Sequence, residues 1–196
     1  MNFRIRNTDD DDKSFESFET KYLNHLKRFV GISNSDLWKY FYWDFFHDGP
    51  LESLKFQKDL STVIMRICCP NIKRLKADGD YEYLNLSFKC TFSEVISFNM
   101  QFEKQISDWY SGKYSAMYLY SEINTSPVLE TLDYGDDNHH EEYYSLLIQF
   151  LVDNSFVWLE LVFNQVDVEA DEPAAFALME SDPTYEIPTH SPENGK

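Results

Sequence analysis

Seven potential ligands crowd between residues 133 and 142: Asp133, Asp136, Asp137, His139, His140, Glu141 and Glu142. Carboxylate oxygens and imidazole nitrogens of this kind take hard or borderline divalent cations. Their spacing fits no established loop. The alternating ligands and central glycine of an EF-hand are missing, and adjacent histidines cannot share one helical face as a metalloprotease pair does. A solvated loop between strands is the plainer reading. Upstream, His47-Asp48 could form a ligand dyad in which the carboxylate fixes the imidazole tautomer. The helical phosphohydrolases that use such a dyad need further histidines, and a turn in which Asp48 bonds nearby backbone ahead of Gly49-Pro50 accounts for the same residues. A metal-dependent hydrolase would require His47 and Asp48 to converge in space with His139, His140 and their neighbouring acids.

Other chemistries are less well supplied. A reactive thiol needs a cation or helix N-terminus beside it, whereas Cys90 alternates with Leu86, Phe88 and Phe92 and reads as core. With Cys68 and Cys69 it makes an odd count with two neighbours adjacent, a poor disulfide framework and a natural set of reduced thiols. All six glycines are isolated, so no phosphate-cradling loop or dinucleotide fingerprint can be assembled, and no cofactor is expected. The run Trp38 to Phe46 holds Trp38, Tyr40, Phe41, Tyr42, Trp43, Phe45 and Phe46, which could stack on bases or sugars but serve equally as packing between helix and sheet.

Charge argues against nucleic acid as the partner. From Tyr114 to Gly195 there are seventeen Asp and Glu and no Lys or Arg, so nearly all of the formal charge of −17 lies in the C-terminal part. Nucleic-acid binders need the opposite excess to displace counterions from phosphate. Such a field instead favours a basic protein surface, with Glu130, Asp133, Asp136, Asp137, Glu141 and Glu142 steering it and Tyr134 or Tyr143 anchoring the contact. Asp167, Glu169 and Asp171 would share a face if their strand continued, reading as a solvated edge. Apolar stretches are broken every few residues by charge, so no membrane span is expected, and the acidic start of the chain in place of a signal sequence points to the cytoplasm.

These residues need elements to hold them. Phe15, Phe18, Tyr22, Leu26, Phe29 and Val30 recur at helical spacing between Ser14 and Gly31, which predicts an amphipathic helix. A short helix can start at Ser35 and end before His47-Asp-Gly-Pro50. Beyond that turn the period becomes two: Val63, Met65, Ile67 and Cys69, then Leu84, Leu86, Phe88, Cys90 and Phe92, read as half-buried antiparallel strands joined by a loop from Asn71 to Asp80. A strand at Ile96 to Phe102, a helical face to Gly112 and a strand at 114–123 follow. Residues 143–152 and 156–168 read as a hairpin around Asp153-Asn154-Ser155, with a bulge near Asn164 or Gln165. Tyr83 to Phe88 echoes Trp158 to Phe163, which could mark two related half-sheets. From Asp171 onward four prolines and seven charges without apolar period predict a disordered tail.

The motif Phe46-His-Asp-Gly-Pro-Leu51, the succeeding strand pairs and Tyr144-Ser-Leu-Leu-Ile-Gln149 resemble small uncharacterised bacterial immunity proteins of polymorphic toxin systems. That resemblance spans roughly residues 43–168 and implies a cytoplasmic, non-enzymatic inhibitor that binds a toxin domain. Together these readings predict an α+β protein: an antiparallel sheet of about six to eight strands with the N-terminal helix against one face. Its expected parts are an acidic leader at 1–12, one domain at 13–170 and the tail at 171–196. The leading expected function is an acidic protein-binding module for a basic partner; the hydrolase, and a structural or accessory protein, are the alternatives.

Overall fold

The computed structural model describes residues 22, 24, 35–41, 45–58, 60–103, 116–124 and 143–188. Its elements in order are α1 (Ser35–Phe41), β1 (Pro50–Phe56), β2 (Val63–Leu75), β3 (Tyr81–Ser93), β4 (Ser97–Phe102), β5 (Ala116–Asn124), β6 (Tyr144–Val152), β7 (Ser155–Phe163), β8 (Gln165–Ala170), α2 (Pro173–Ser181) and β9 (Tyr185–Glu186). The result is an α+β-like, mostly antiparallel sheet of nine strands in the order β4-β7-β6-β5-β1-β2-β3-β8, with β9 added to β2.

The two ends of that order belong to one ladder. β3 runs into β4 across residues 94–96 and β7 runs into β8 across Asn164, while β3 pairs with β8 and β4 with β7. At the corner, Asn164 N donates to Ser93 O at 3.2 Å and Ile96 N to Val162 O at 2.9 Å. The sheet therefore closes on itself as a bent antiparallel barrel, which removes most of its edges. The strand order is also palindromic: β1-β2-β3-β4 and β5-β6-β7-β8 occupy matching places. Tyr83–Phe88 and Trp158–Phe163 accordingly lie on the matching third strands of the two halves.

Inward side chains at period two fill the barrel: Val63, Met65, Ile67 and Cys69 from β2, Phe88, Cys90 and Phe92 from β3, Leu146, Ile148 and Phe150 from β6, and Val157, Leu159, Leu161 and Phe163 from β7, all fully or almost fully buried. Phe92 and Phe163 meet edge to face at 5.0 Å where the bent strands cross. The expected loop from Asn71 to Asp80 is shorter than predicted. A bulge between Cys69 and Ile72 resets the facing of β2, so Ile72 is buried, and pairing continues to Leu75↔Tyr81. The predicted hairpin turn is present, with Asp153 and Asn154 both at positive φ, the conformation a two-residue hairpin requires.

α1 buries Leu37, Tyr40 and Phe41 at spacings of three and four, and its rings pack on Phe45, Phe88 and Phe92. The described part of the aromatic run is therefore core. The longer helix expected over 14–30 falls outside the described residues except at helical Tyr22 and Asn24; Tyr22 is buried and its hydroxyl accepts from Ile123 N at 2.9 Å. The expectation of a structureless tail from residue 171 does not hold for the described part. α2 buries Phe176 edge-on to Phe88 at 5.1 Å, and Met179, Tyr185 and Ile187 pack on the same core. The prolines permit this because Pro173 occupies the first turn of α2, where its missing N–H costs nothing. No helix among the described residues is long and apolar enough to cross a membrane.

Candidate functional site

His47-Asp48-Gly49 forms the turn that leads into β1 and ties that strand to β5. Only Pro50↔Met117 and Leu51↔Ala116 pair β1 with β5 in register. Two further bonds extend this short seam: Asp48 N donates to Tyr118 O at 2.9 Å and Tyr118 N to Gly49 O at 2.8 Å. His47 completes it. Its Nδ1 lies 2.6 Å from Leu119 O; a carbonyl can only accept, so Nδ1 carries the proton. The ring rests on Tyr120 at 4.9 Å, and Asn71 Nδ2 donates to His47 O at 2.7 Å. Nε2 faces Asp48 Oδ1 at 3.6 Å.

Glycine at 49 is dictated by space. An added Cβ would sit 2.7 Å from Phe46 O and closer still to Cys68 O, both backbone atoms. Asp48 takes φ of 59°, a left-handed conformation that aspartate tolerates better than most residues. The backbone of His47, Asp48 and Gly49 and the Nδ1 of His47 are thus used in joining strands. Among the described residues no three His, Cys, Asp or Glu side chains gather to hold a metal ion. His139, His140 and the acids at 133–142 lie outside the described residues, as do Glu130 and Tyr134; Tyr143 is half-buried just before β6.

The thiols are withdrawn from chemistry. Burial pushes Cys69 up to about 12, and its thiol donates to Phe45 O at 3.0 Å. Burial also raises Cys90, which is fully enclosed, and raises Cys68, with Glu52 adding to the effect. A nucleophilic cysteine requires the opposite shift.

What the described surface does present is carboxylate. β8 turns Val166 and Ala170 into the core and Asp167 and Glu169 outward, with exposed Asp171 next in the row. These acids lie on an edge strand, since β8 stands at one end of the strand order and pairs with β3 along its other side. Lys89 reaches Glu169 at 3.3 Å, and Arg66 bridges Asp171 and Glu52. Beyond them, Glu172, Glu180, Asp182 and Glu186 are exposed as well. Lys39 of α1 pairs with Glu180 of α2; burial pulls the lysine pKa down, but Glu180 and Tyr40 together outweigh it and the net shift is upward. Thr184 backbone and side-chain donors hold the Asp182 carboxyl below its usual range. A half-open cavity of about 480 Å³ lies between β8 and α2, floored by Tyr40, Val168, Ala170 and Phe176.

Not every acid of the basic-free tract reaches solvent. Glu122 of β5 is fully buried and Glu160 of β7 is half-buried, whereas Asp153 and Asp167 are exposed. Glu122 gave no signal in the sequence, because its burial depends on what covers the outer face of β5. The exposed side chains Tyr81, Tyr83 and Leu75 at the β2–β3 tip, with Lys73 over Tyr83 and Arg74 over Tyr185, were also not anticipated. They became visible once the strands proved to run on to Leu75 and Tyr81.

No protein-family model and no curated protein sequence matches the chain. Among solved structures it is similar to an uncharacterized protein from Neisseria gonorrhoeae, at 10% identity and a TM-score of 0.33, over 63% of this chain and 92% of that one.

Proposed function

We propose that this chain is a non-catalytic protein-binding module that takes a basic partner protein, in the manner of an immunity protein or inhibitor that neutralises a cationic toxin by direct contact. The observation that carries the reading is the carboxylate surface of β8, α2 and β9. Asp167, Glu169, Asp171, Glu172, Glu180, Asp182 and Glu186 are all exposed in a segment with no lysine or arginine. Glu169, Asp171 and Glu180 are paired with Lys89, Arg66 and Lys39; the other four have no ion-pair partner among the described residues. Unpaired surface charge of one sign steers an opposite surface and discriminates among partners. The acids at 130, 133, 136, 137, 141 and 142 carry charge of the same sign in sequence, and Tyr134 and Tyr143 are the aromatic anchors this reading assigns. The structural use of His47, Asp48 and the thiols supports binding over hydrolysis. The test is capture of the partner from the native host with the full chain as bait. A partner of high isoelectric point, whose toxic or enzymatic activity is suppressed in the complex, is the expected result. An acidic or neutral partner overturns the reading.

A further inference from the structure

β4 and β8 stand at the two ends of the strand order, and the protein treats their outward edges differently. Glu103 N donates to Phe156 O at 2.9 Å, so in the antiparallel alternation Asn99 and Gln101 share hydrogen bonds with β7, while the backbone of Phe98 and Met100 points the other way. On β8 the corresponding outward group is Val168 N, and it is occupied: the Asp36 carboxylate of α1 accepts from it at 2.8 Å. On β4 the outward groups of Phe98 and Met100 have no hydrogen-bond partner among the described residues. Natural edges are blunted with charge, proline or a bulge, yet β4 reads Ser-Phe-Asn-Met-Gln-Phe and has none of these. Exposed Phe56, stacked edge-on to Phe98 at 4.4 Å, and exposed Leu60 and Ile96 add an apolar lip.

We propose that β4 pairs with β4 of a second copy of this chain, antiparallel, about a two-fold axis through Asn99. Such a strand is self-complementary. Phe98 and Met100 of one copy exchange backbone hydrogen bonds with Met100 and Phe98 of the other, which also sets sulfur against an aromatic ring. Asn99 faces its own copy, where side chains approach most closely. No charge opposes a like charge along the strand, although each chain carries −17 overall; β4 is where two such acidic molecules can meet. This pairing does not rest on the proposed function, and its salt dependence has the opposite sign. Added salt screens the repulsion between two acidic copies and strengthens the dimer, whereas it weakens capture of a basic partner.

The test is sedimentation of the full chain from about 1 to 200 µM, since an interface of this size is expected to be weak, at low and high salt. Wild type should dimerise, more strongly at high salt. Asn99→Lys alone and Asn99→Glu alone, each altering an exposed side chain, should lose at least tenfold in affinity, and an equimolar mixture of the two should form a heterodimer, because only a two-fold at residue 99 places the opposite charges together. Amide exchange at Phe98 and Met100 in the wild type, slowing as concentration rises, tests the same contact without any substitution. A monomer at all concentrations and salts, a dimer indifferent to both substitutions, or a mixture that stays monomeric overturns the proposal.

Discussion

Replacing Gly49 with alanine should destabilise this protein far more than a glycine-to-alanine change in a turn normally does. The added methyl would overlap Cys68 O and Phe46 O, and neither backbone atom can rotate aside, so the turn must lift away from β2. Overpacking of this kind costs about 1–3 kcal/mol. Displacing the turn also strains Tyr118 N→Gly49 O and Asp48 N→Tyr118 O, each contributing about 1 kcal/mol. A total of about 3–5 kcal/mol is a large share of the roughly 5–15 kcal/mol that stabilises a domain. Gly79→Ala is the control: nothing lies within 4 Å of its added methyl, and only its φ of +89° resists, at about 1–2 kcal/mol. Urea unfolding followed by tryptophan fluorescence gives both values. If Gly49→Ala falls within about 0.5 kcal/mol of wild type, or costs less than Gly79→Ala, the seam between β1 and β5 is not held as described.

Phe176→Ala should cost about 3–5 kcal/mol by the usual range for a buried ring, and truncation after Ala170 at least as much; a melting temperature unchanged in both would mean that α2 does not dock. Cys69 and Cys90 should resist alkylation at pH 8 in native protein and react on unfolding. Because the folded thiol of Cys69 is raised from 9.0 to about 12, its contribution is complete below pH 9.0 and is lost as pH rises through about 12, with a slope of roughly 1.4 kcal/mol per pH unit inside that window. Unfolding free energy that stays flat across the window contradicts the burial. His47→Ala should lower stability by about 1–2 kcal/mol through the orphaned Leu119 carbonyl and leave partner affinity unchanged. Elemental analysis should find far less than one transition-metal ion per chain; one zinc or manganese, lost in His139→Ala, would favour the hydrolase.

Local pattern carried most of the strands. Alternation in 63–69 and 84–92 and the Asp153-Asn154 turn follow the local pattern, because a half-buried strand must alternate and a two-residue turn must accommodate positive φ; the switch of facing expected as a bulge near Asn164 or Gln165 is instead the point where β7 ends and β8 begins with a new partner, β3. What was missed depends on distant partners. The bulge at residues 70–71 lets β2 continue, but that continuation is paid for by pairing with Tyr81–Leu84, which no local window contains. α2 has a weak apolar stripe and looked like tail until Phe88 and Tyr40 supplied the surface that Phe176 covers. The His47-Asp48 dyad was legible as a turn; its tie to Leu119, 72 residues away in sequence, was not. The candidate acids read as one solvated field, yet Glu122 is inside and Glu169, Asp171 and Glu180 are neutralised by cations of the first half.

The central claim, a carboxylate surface that captures a basic partner, is tested most directly by the association rate of the captured partner at about 50 and 300 mM salt. Wild type is compared with Asp167→Lys/Glu172→Lys and with Asp136→Lys/Asp137→Lys. Electrostatic steering predicts a wild-type rate that falls at least tenfold between the two salts, and variants that associate more slowly with a shallower salt dependence while dissociating at similar rates. Association rates that are equal for all three proteins and indifferent to salt would contradict it, leaving the acids as a means of solubility alone.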